Sequence, residues 1–297
     1  MLLLTGLLAK AIREQSDVSK IDWEVLAAKT DIVGYPVLPL VEQMTTWVTD
    51  GMGKSSFLDM AGLEAHARVD KYIHWGATTQ DIMDNASILQ MKKGLSIVER
   101  YLKSNISALE KLAVTYRDTP MAGRTHLQHA LPITFGYKCA VWLAGFQRHL
   151  ERLEQIKERC LLVQFGGAAG TLASLGNDDT GIQVRKQLAK VLSLKDPAIT
   201  WHVTRDTVAE IVNFLALIGG SLGKIALDLI IMSSNEFNEV KRTKSHWQSI
   251  SANYSRSQSH LFRIEAPPPQ CLRSAIQSRV SLSSLLQKPY EHKQVWC

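Results

Sequence analysis

The sequence has little of what marks a secreted, metal-binding or membrane-spanning chain. Its four cysteines, Cys139, Cys160, Cys271 and Cys297, form no CxxC pair and no small-protein disulfide framework. A reducing compartment, the cytoplasm, is therefore the default setting. No apolar run reaches the ~20 residues that a membrane-spanning helix needs. The best stretch, residues 211–223, is too short and contains Asn213, so no membrane partner is expected. The opening MLLLTGLLAKAIREQ has no basic segment ahead of its apolar stretch and no small-residue cleavage site. It reads as a buried helix or a truncated beginning rather than a signal peptide.

Glycine is missing after Gly223, and acids are nearly missing after residue 240. Residues 241–297 hold nine Lys/Arg and only Glu265 and Glu291, a balance of +7, which leaves −1 for residues 1–240. The basic character of the whole chain thus belongs to its last stretch, and nucleic-acid binding by the whole protein is not expected. That stretch also has eleven serines, four prolines and no sustained apolar period, so it reads as an irregular basic tail. The expected organisation is a partial N-terminal helical domain (1–83), a partial central helical bundle (84–240) and the tail (241–297).

What the chain does have is helical periodicity. Val208, Ile211, Leu215, Ile218, Leu222, Ile225, Leu229 and Met232 alternate steps of three and four, a bundle-forming stripe. Ile88, Met91, Leu95, Val98, Leu102, Ile106, Leu109 and Ala113 make a second, with Asp84-Asn85 as a candidate cap. Cys139, Trp142, Phe146, Leu150 and Leu153 mark a third, with Pro132 suited to its first turn. No alternating strand pattern lies between them. The fold class predicted is all-α, an elongated bundle of long helices.

Polar residues and glycines gather at the ends of these helices, where packing explains them least. HWGATTQD (74–81) precedes the first long helix, GRTHLQH (123–129) precedes another, QFGGAAGT (164–171) follows it, and WHVTRD (201–206) opens the third. Hydroxyls and unpaired N–H groups at helix starts suit carboxylate binding, and a nearby histidine can move a proton near neutral pH. Capping turns with exposed histidines would give the same spacing. Gly53-Lys54-Ser55 lacks the first glycine of a phosphate loop, since Val48 stands in its place. His126 and His129 have no third ligand at helical spacing, so no metal is expected. No cofactor is implied either.

The four strings, in this order and separated by long helices, resemble the fumarase/aspartase superfamily. Over about residues 20–240 the chain is most similar to the branch of adenylosuccinate lyase and 3-carboxy-cis,cis-muconate lactonising enzyme. The resemblance implies a cytoplasmic homotetramer whose active sites combine segments of three subunits, and a reaction that adds or eliminates across a small di- or tricarboxylate. Residue by residue, it implies that Thr78, Thr79 and Gln80 hold the substrate carboxylate with His74 beside it. It makes His126 the general acid, paired with Thr125, and Gln128 a substrate-contacting amide. Arg205 falls where the family has an arginine. GGAAGTLASLG and WHVTRD look like the lactonising branch and His126 like adenylosuccinate lyase; fungal-type tricarboxylate decarboxylases are also similar. The substrate stays open.

The departures from the family are equally plain. Its mobile loop, GSSxMPxKxNP, carries the proton-abstracting serine and should follow Glu239-Val240, where this sequence reads KRTKSHWQSISANYSRSQSH. The last bundle helices, the C-terminal domain and the family's first several dozen residues are also missing, and there is extra sequence between Val48 and Val69. Three readings follow: a lyase or cycloisomerase; a catalytically dead chain, either a truncated paralogue or a product whose reading frame changes near Val240; and, ranked last, a protein whose basic, Ser-rich tail binds RNA or an acidic surface. The expectation is that the chain as written does not turn over.

Overall fold

The structure, a computed structural model, describes residues 9–10, 12–52 and 72–240. Gly53-Lys54-Ser55, most of the extra sequence ahead of the HWGAT motif, and the basic stretch 241–297 with Cys271 and Cys297 lie outside the described residues. In chain order the main elements are α1 (Trp23–Val33), α2 (Val37–Met52), α3 (Thr79–Thr115), β1 (Pro120–Thr125), β2 (Gln128–Thr134), α4 (Phe135–Cys160), α5 (Thr180–Leu192) and α6 (Asp206–Met232). The three apolar stripes fall on α3, α4 and α6, and the fold is helical as the periodicity predicts.

Local chemistry sets the helix ends. Asp22 caps α1 by accepting from the Val25 N–H at 3.0 Å, and Gly34 closes it in a left-handed conformation (φ 90°). α3 begins at Thr79, six residues earlier than a cap at Asp84 would allow. Asp84 and Asn85 are therefore not caps: they sit inside the helix, buried, with their side chains used in tertiary hydrogen bonds. The N-terminus is instead closed by a capping box in which Asp81 reaches back to the Thr78 N–H at 3.0 Å.

The antiparallel hairpin β1–β2 departs from the strand-free expectation. Its two-residue turn is His126-Leu127, with φ of 48° and 62°, and it lacks the Asn-Gly signature that betrays such turns in a sequence. Pro132 consequently lies in β2, opposite Ala122, and not in the first turn of a helix. α4 starts three residues later, where the Thr134 hydroxyl accepts from the Tyr137 N–H at 3.1 Å.

The chain divides into two compact units, each made of two separate stretches: Met1–Leu95 with Gln155–Ile211, and Ser96–Glu154 with Val212–Cys297. In the first, α1 packs on α2, and Val48 and Ile73 are buried with Ile12, Val41 and Met44 against them. A parallel bridge joins Leu162 to Lys195, and the buried Arg185 of α5 holds the adjoining turn by donating to Asp196 (2.7 Å) and the Pro197 carbonyl (2.8 Å). In the second, Tyr116, Phe135 and Trp142 meet edge to face, and Phe146, Leu153, Phe214 and Ile218 complete a buried core.

α6 differs from its stripe at one position. Leu215 is 42% exposed, and its neighbour Phe214 takes the buried place at 2%. Val212, Leu217, Leu227 and Ile230 are exposed as well, and a side chain added at Gly219, Gly220 or Gly223 would meet nothing. By length and composition α6 is also apolar enough to cross a membrane, which counting uninterrupted apolar residues misses. It nevertheless carries Asp228, which accepts from the Trp142 indole and pairs with Lys138 and Lys224. Burial pushes the Asp228 carboxyl up, but those lysines more than offset it and hold it below its usual value.

Candidate active site

Three of the four polar strings converge in the first unit, and the residue that gathers them is Asp81. It has no exposed surface. Its Oδ1 accepts from the Gln164 amide (3.0 Å) and the Gly166 N–H (3.0 Å), its Oδ2 from the Gly167 N–H (2.9 Å) and the Thr78 N–H (3.0 Å). A buried carboxylate is costly unless its lone pairs are met, and here four donors meet them. Asp81 thereby ties the start of α3 to the Gly166-Gly167 turn.

Around it runs a closed network. The Asn85 amide donates to the Gln164 carbonyl (2.6 Å) while the Gln164 N–H donates to Asn85 Oδ1 (3.0 Å). The Gln164 side chain donates to the Thr200 hydroxyl (2.6 Å) and accepts from the Trp201 N–H (3.0 Å), and His202 Nδ1 lies 3.4 Å from its amide nitrogen. The Trp201 indole donates to the Val163 carbonyl at 2.9 Å. Glycine is needed at two points: a Cβ on Gly166 would come within 2.5 Å of the Thr200 hydroxyl. One on Gly167 (φ 72°) would lie 3.1 Å from the Gly76 carbonyl.

On this frame stand the residues expected to bind carboxylate. Thr78 and Thr79 are half-buried at the first turn of α3, where unpaired amides and the helix dipole favour an anion. Gln80 donates to Asp84 Oδ1 at 2.7 Å, and Arg205 donates to the same oxygen at 2.8 Å, so Gln80 and Arg205 share one buried carboxylate. The other oxygen of Asp84 is buried with no hydrogen-bond partner. Arg205 itself is half exposed and lies over the Trp201 ring. His74 is half-buried in a left-handed conformation (φ 65°). Burial holds its pKa below the ordinary histidine value, against the opposing charge of Asp81.

Thr125, His126 and Gln128 belong to the second unit, and the Asp81 network contains none of them. All three are exposed at the tip of the hairpin, where Thr125 pairs with Gln128 across the His126-Leu127 turn. A bulge at Ala130-Leu131, opposite Gly123, adjusts the register, and a Cβ on Gly123 would strike the Leu131 carbonyl at 2.6 Å. Next to the turn, Arg124 makes a bidentate pair with Glu239 (2.8 and 2.7 Å) and lies over the Phe237 ring. Among the described residues no group of three or more His, Cys, Asp or Glu could hold a metal ion.

Asp81, Asn85, Gln164, Arg124 and Glu239 are the organising residues that motif reading passes over. Thr78-x-x-Asp81 is a legible capping-box signal, and it would have found Asp81. Nothing local in the sequence announces the pairing of Arg124 with a residue 115 positions away.

Comparison with known proteins places the chain in a family. The lyase family matches residues 34–249. Trans-aconitate decarboxylase 1 of Mycosarcoma maydis is 43% identical over 232 residues, 78% of this chain and 43% of that protein. The 3-carboxy-cis,cis-muconate cycloisomerase of Acinetobacter baylyi is 42% identical over 223 residues, 75% of this chain and 46% of that protein. Among solved structures, a fumarate lyase from Mesorhizobium sp. BNC1 superposes with a TM-score of 0.70 at 50% identity, over 79% of this chain and 51% of that one. The chain spans about half the length of the relatives it matches. With the four strings and the helical fold agreeing with these matches, the chain belongs to the fumarase/aspartase family of lyases, in the branch of carboxymuconate cycloisomerases and adenylosuccinate lyases.

Proposed function

We propose that the chain carries the carboxylate-binding and general-acid parts of a lyase or cycloisomerase that acts on a small di- or tricarboxylate. The observation that carries this reading is the start of α3, where the fully buried, four-fold hydrogen-bonded Asp81 holds Thr78 by its N–H and Thr79 follows as the first helical residue. A rigid cluster of donors at a helix N-terminus stabilises charge without reorganising as the charge develops.

In this proposal Thr78, Thr79 and Gln80 hold one carboxylate, and Arg205 and His74 flank it. Proton loss beside that carboxylate builds an enolate-like dianion, which the same donors stabilise. His126, with Thr125 and Gln128 beside it, gives its proton to the departing group. No metal or cofactor enters the scheme. The names of the relatives favour an aconitate- or muconate-like polycarboxylate. The base is the missing part. The family's GSSxMPxKxNP loop does not occur in residues 241–297, so the chain as it stands is expected to bind carboxylate without eliminating.

Self-association belongs to the same proposal. α6 leaves several large apolar residues exposed, among them Leu217 at 53% and Ile230 at 62%, and a second copy of the chain would cover them. A cytoplasmic setting accords with the free buried thiols of Cys139 and Cys160, which burial pushes up to about 12.

The test is calorimetric titration of the full chain with tricarballylate, together with assays on carboxymuconate and adenylosuccinate at high protein concentration. Binding that Thr79→Ala weakens about tenfold, without turnover, is the expected result; one lost charge-assisted hydrogen bond of about 1.5 kcal/mol gives that factor. Turnover that vanishes in His126→Ala would keep the assignment of the acid and reject the inactive state. Absence of carboxylate binding, or turnover indifferent to His126→Ala, would sink the proposal.

A further inference from the structure

The turn that carries His126 has no evident means of holding its own shape. A two-stranded hairpin is marginal by itself. Histidine tolerates the left-handed region, but Leu127 at φ 62° does so only against its preference. Both residues are exposed, so packing does not hold them. Something adjoining must.

We infer that Arg124 and Glu239 are positioning residues for His126: their ion pair anchors the hairpin to the C-terminal end of α6 and so sets where the imidazole stands. The inference rests on the reading of His126 as the general acid. Four observations support it. The pair is bidentate, with side chains only 13% and 15% exposed, which sets it apart from surface pairs that contribute little. Phe237 lies against both strands, its ring 4.3 Å from the Arg124 guanidinium and 6.1 Å from the His129 ring. Arg124 and His129 are cross-strand partners, one pair removed from the Thr125–Gln128 pair that closes the turn. Glu239 is itself fixed, because its N–H and that of Val240 both donate to the Met232 carbonyl, at 2.9 and 3.2 Å. The grip thus runs from the last residue of α6 through Glu239 and Arg124 to the turn.

A charge-neutral variant of the same shape tests this directly. In the full chain, nuclear magnetic resonance reports the positive φ of His126 as a strong intraresidue amide-to-Hα contact, assigned by its absence in His126→Gln. Glu239→Gln is expected to weaken that contact and to narrow the His126 resonances toward those of a free loop, while helicity by circular dichroism stays. If turnover is found, kcat should fall about tenfold to a hundredfold with little change in KM, the mark of a misplaced acid rather than lost binding. Should Glu239→Gln fail to fold, Phe237→Leu removes only the ring beneath the guanidinium and is expected to loosen His126 to a smaller degree. An unchanged His126 signature in a folded Glu239→Gln, or in Phe237→Leu if the first does not fold, overturns the inference. Failure of the general-acid reading would appear elsewhere, in the His126→Ala turnover assay, and leaves this geometric readout intact.

Discussion

The frame around Asp81 and the hairpin around His126 solve opposite problems with the same kinds of group. At Asp81 the polar atoms are buried, mutually bonded and closed off, and both glycines beside it are dictated by contact distances. At His126 the proposed acid is exposed, both residues of its turn are left-handed, and the ion pair to which we assign its order joins distant parts of the chain. A site that must hold a charged carboxylate gains from being rigid before the ligand arrives. A site that must deliver a proton needs an accessible imidazole, and so its support has to stand to one side.

The comparison breaks most readily at Asp81. Asp81→Ala strands three backbone N–H groups and the Gln164 amide inside the protein, and unsatisfied buried donors cost about 1–3 kcal/mol apiece. With partial relaxation of the four stranded donors, a loss of about 3–5 kcal/mol in urea unfolding followed by far-ultraviolet ellipticity is expected. A loss under about 1 kcal/mol would mean that water reaches the carboxylate and that the frame is not closed.

The next two predictions set one glycine against one leucine, both at positive φ. Gly167→Ala should cost about 2 kcal/mol, because the backbone is left-handed there and the new methyl meets the Gly76 carbonyl at 3.1 Å. Leu127→Gly should act in the other direction and stabilise by about 1 kcal/mol, since it relieves left-handed strain at a residue 64% exposed. Melting temperatures of the two variants check both signs. If Leu127→Gly destabilises, the leucine side chain is making a contact in an assembly of chains.

How much of this a sequence reveals depends on the range of the interactions. The helices are legible because apolar spacing repeats along each stripe, and only Leu215 is misplaced, yielding its buried site to Phe214. Helix starts are less legible: Asp84 and Asn85 have the composition of caps, but their side chains are needed by Arg205, Gln80 and Gln164 across the fold. The hairpin is hidden because His-Leu is a rare turn pair and Pro132 looks like a helix start. The candidate carboxylate site is visible in motifs because its residues are contiguous. Its buttress is not, apart from the Thr78–Asp81 capping box, because Asn85 meets Gln164 over a separation of 79 residues.

The smallest expected effect concerns two histidines, one in each unit, the half-buried His74 and the buried His149. Burial lowers the pKa of both, but Asp81 opposes the effect at His74, whereas Arg152 and Arg148 reinforce it at His149, which lies 2.7 Å from the Ser221 hydroxyl. A depressed folded pKa means that the unfolded chain binds protons first. The associated stability is present in full above the ordinary value of 6.5 and is lost as pH falls below it toward the depressed value. Urea midpoints measured from neutral to mildly acidic pH should therefore decline, and His149→Gln should flatten that decline more than His74→Gln. An equal flattening would show that Asp81 gives His74 no protection.

The bridge between Leu162 and Lys195 has a consequence of a different kind. The Val163 N–H donates to the Lys195 carbonyl and the Lys195 N–H to the Leu161 carbonyl, both at 2.9 Å, so the intervening excursion through α5 is tied off at its base. Its far tip, Gly176 to Asp179, is exposed and polar. A protease cut there would leave both ends stitched to the same short clasp, and the nicked halves should migrate together until denatured. New termini placed at that tip in a circular permutant should be tolerated for the same reason, which makes this loop, and not the hairpin, the natural place to open the chain.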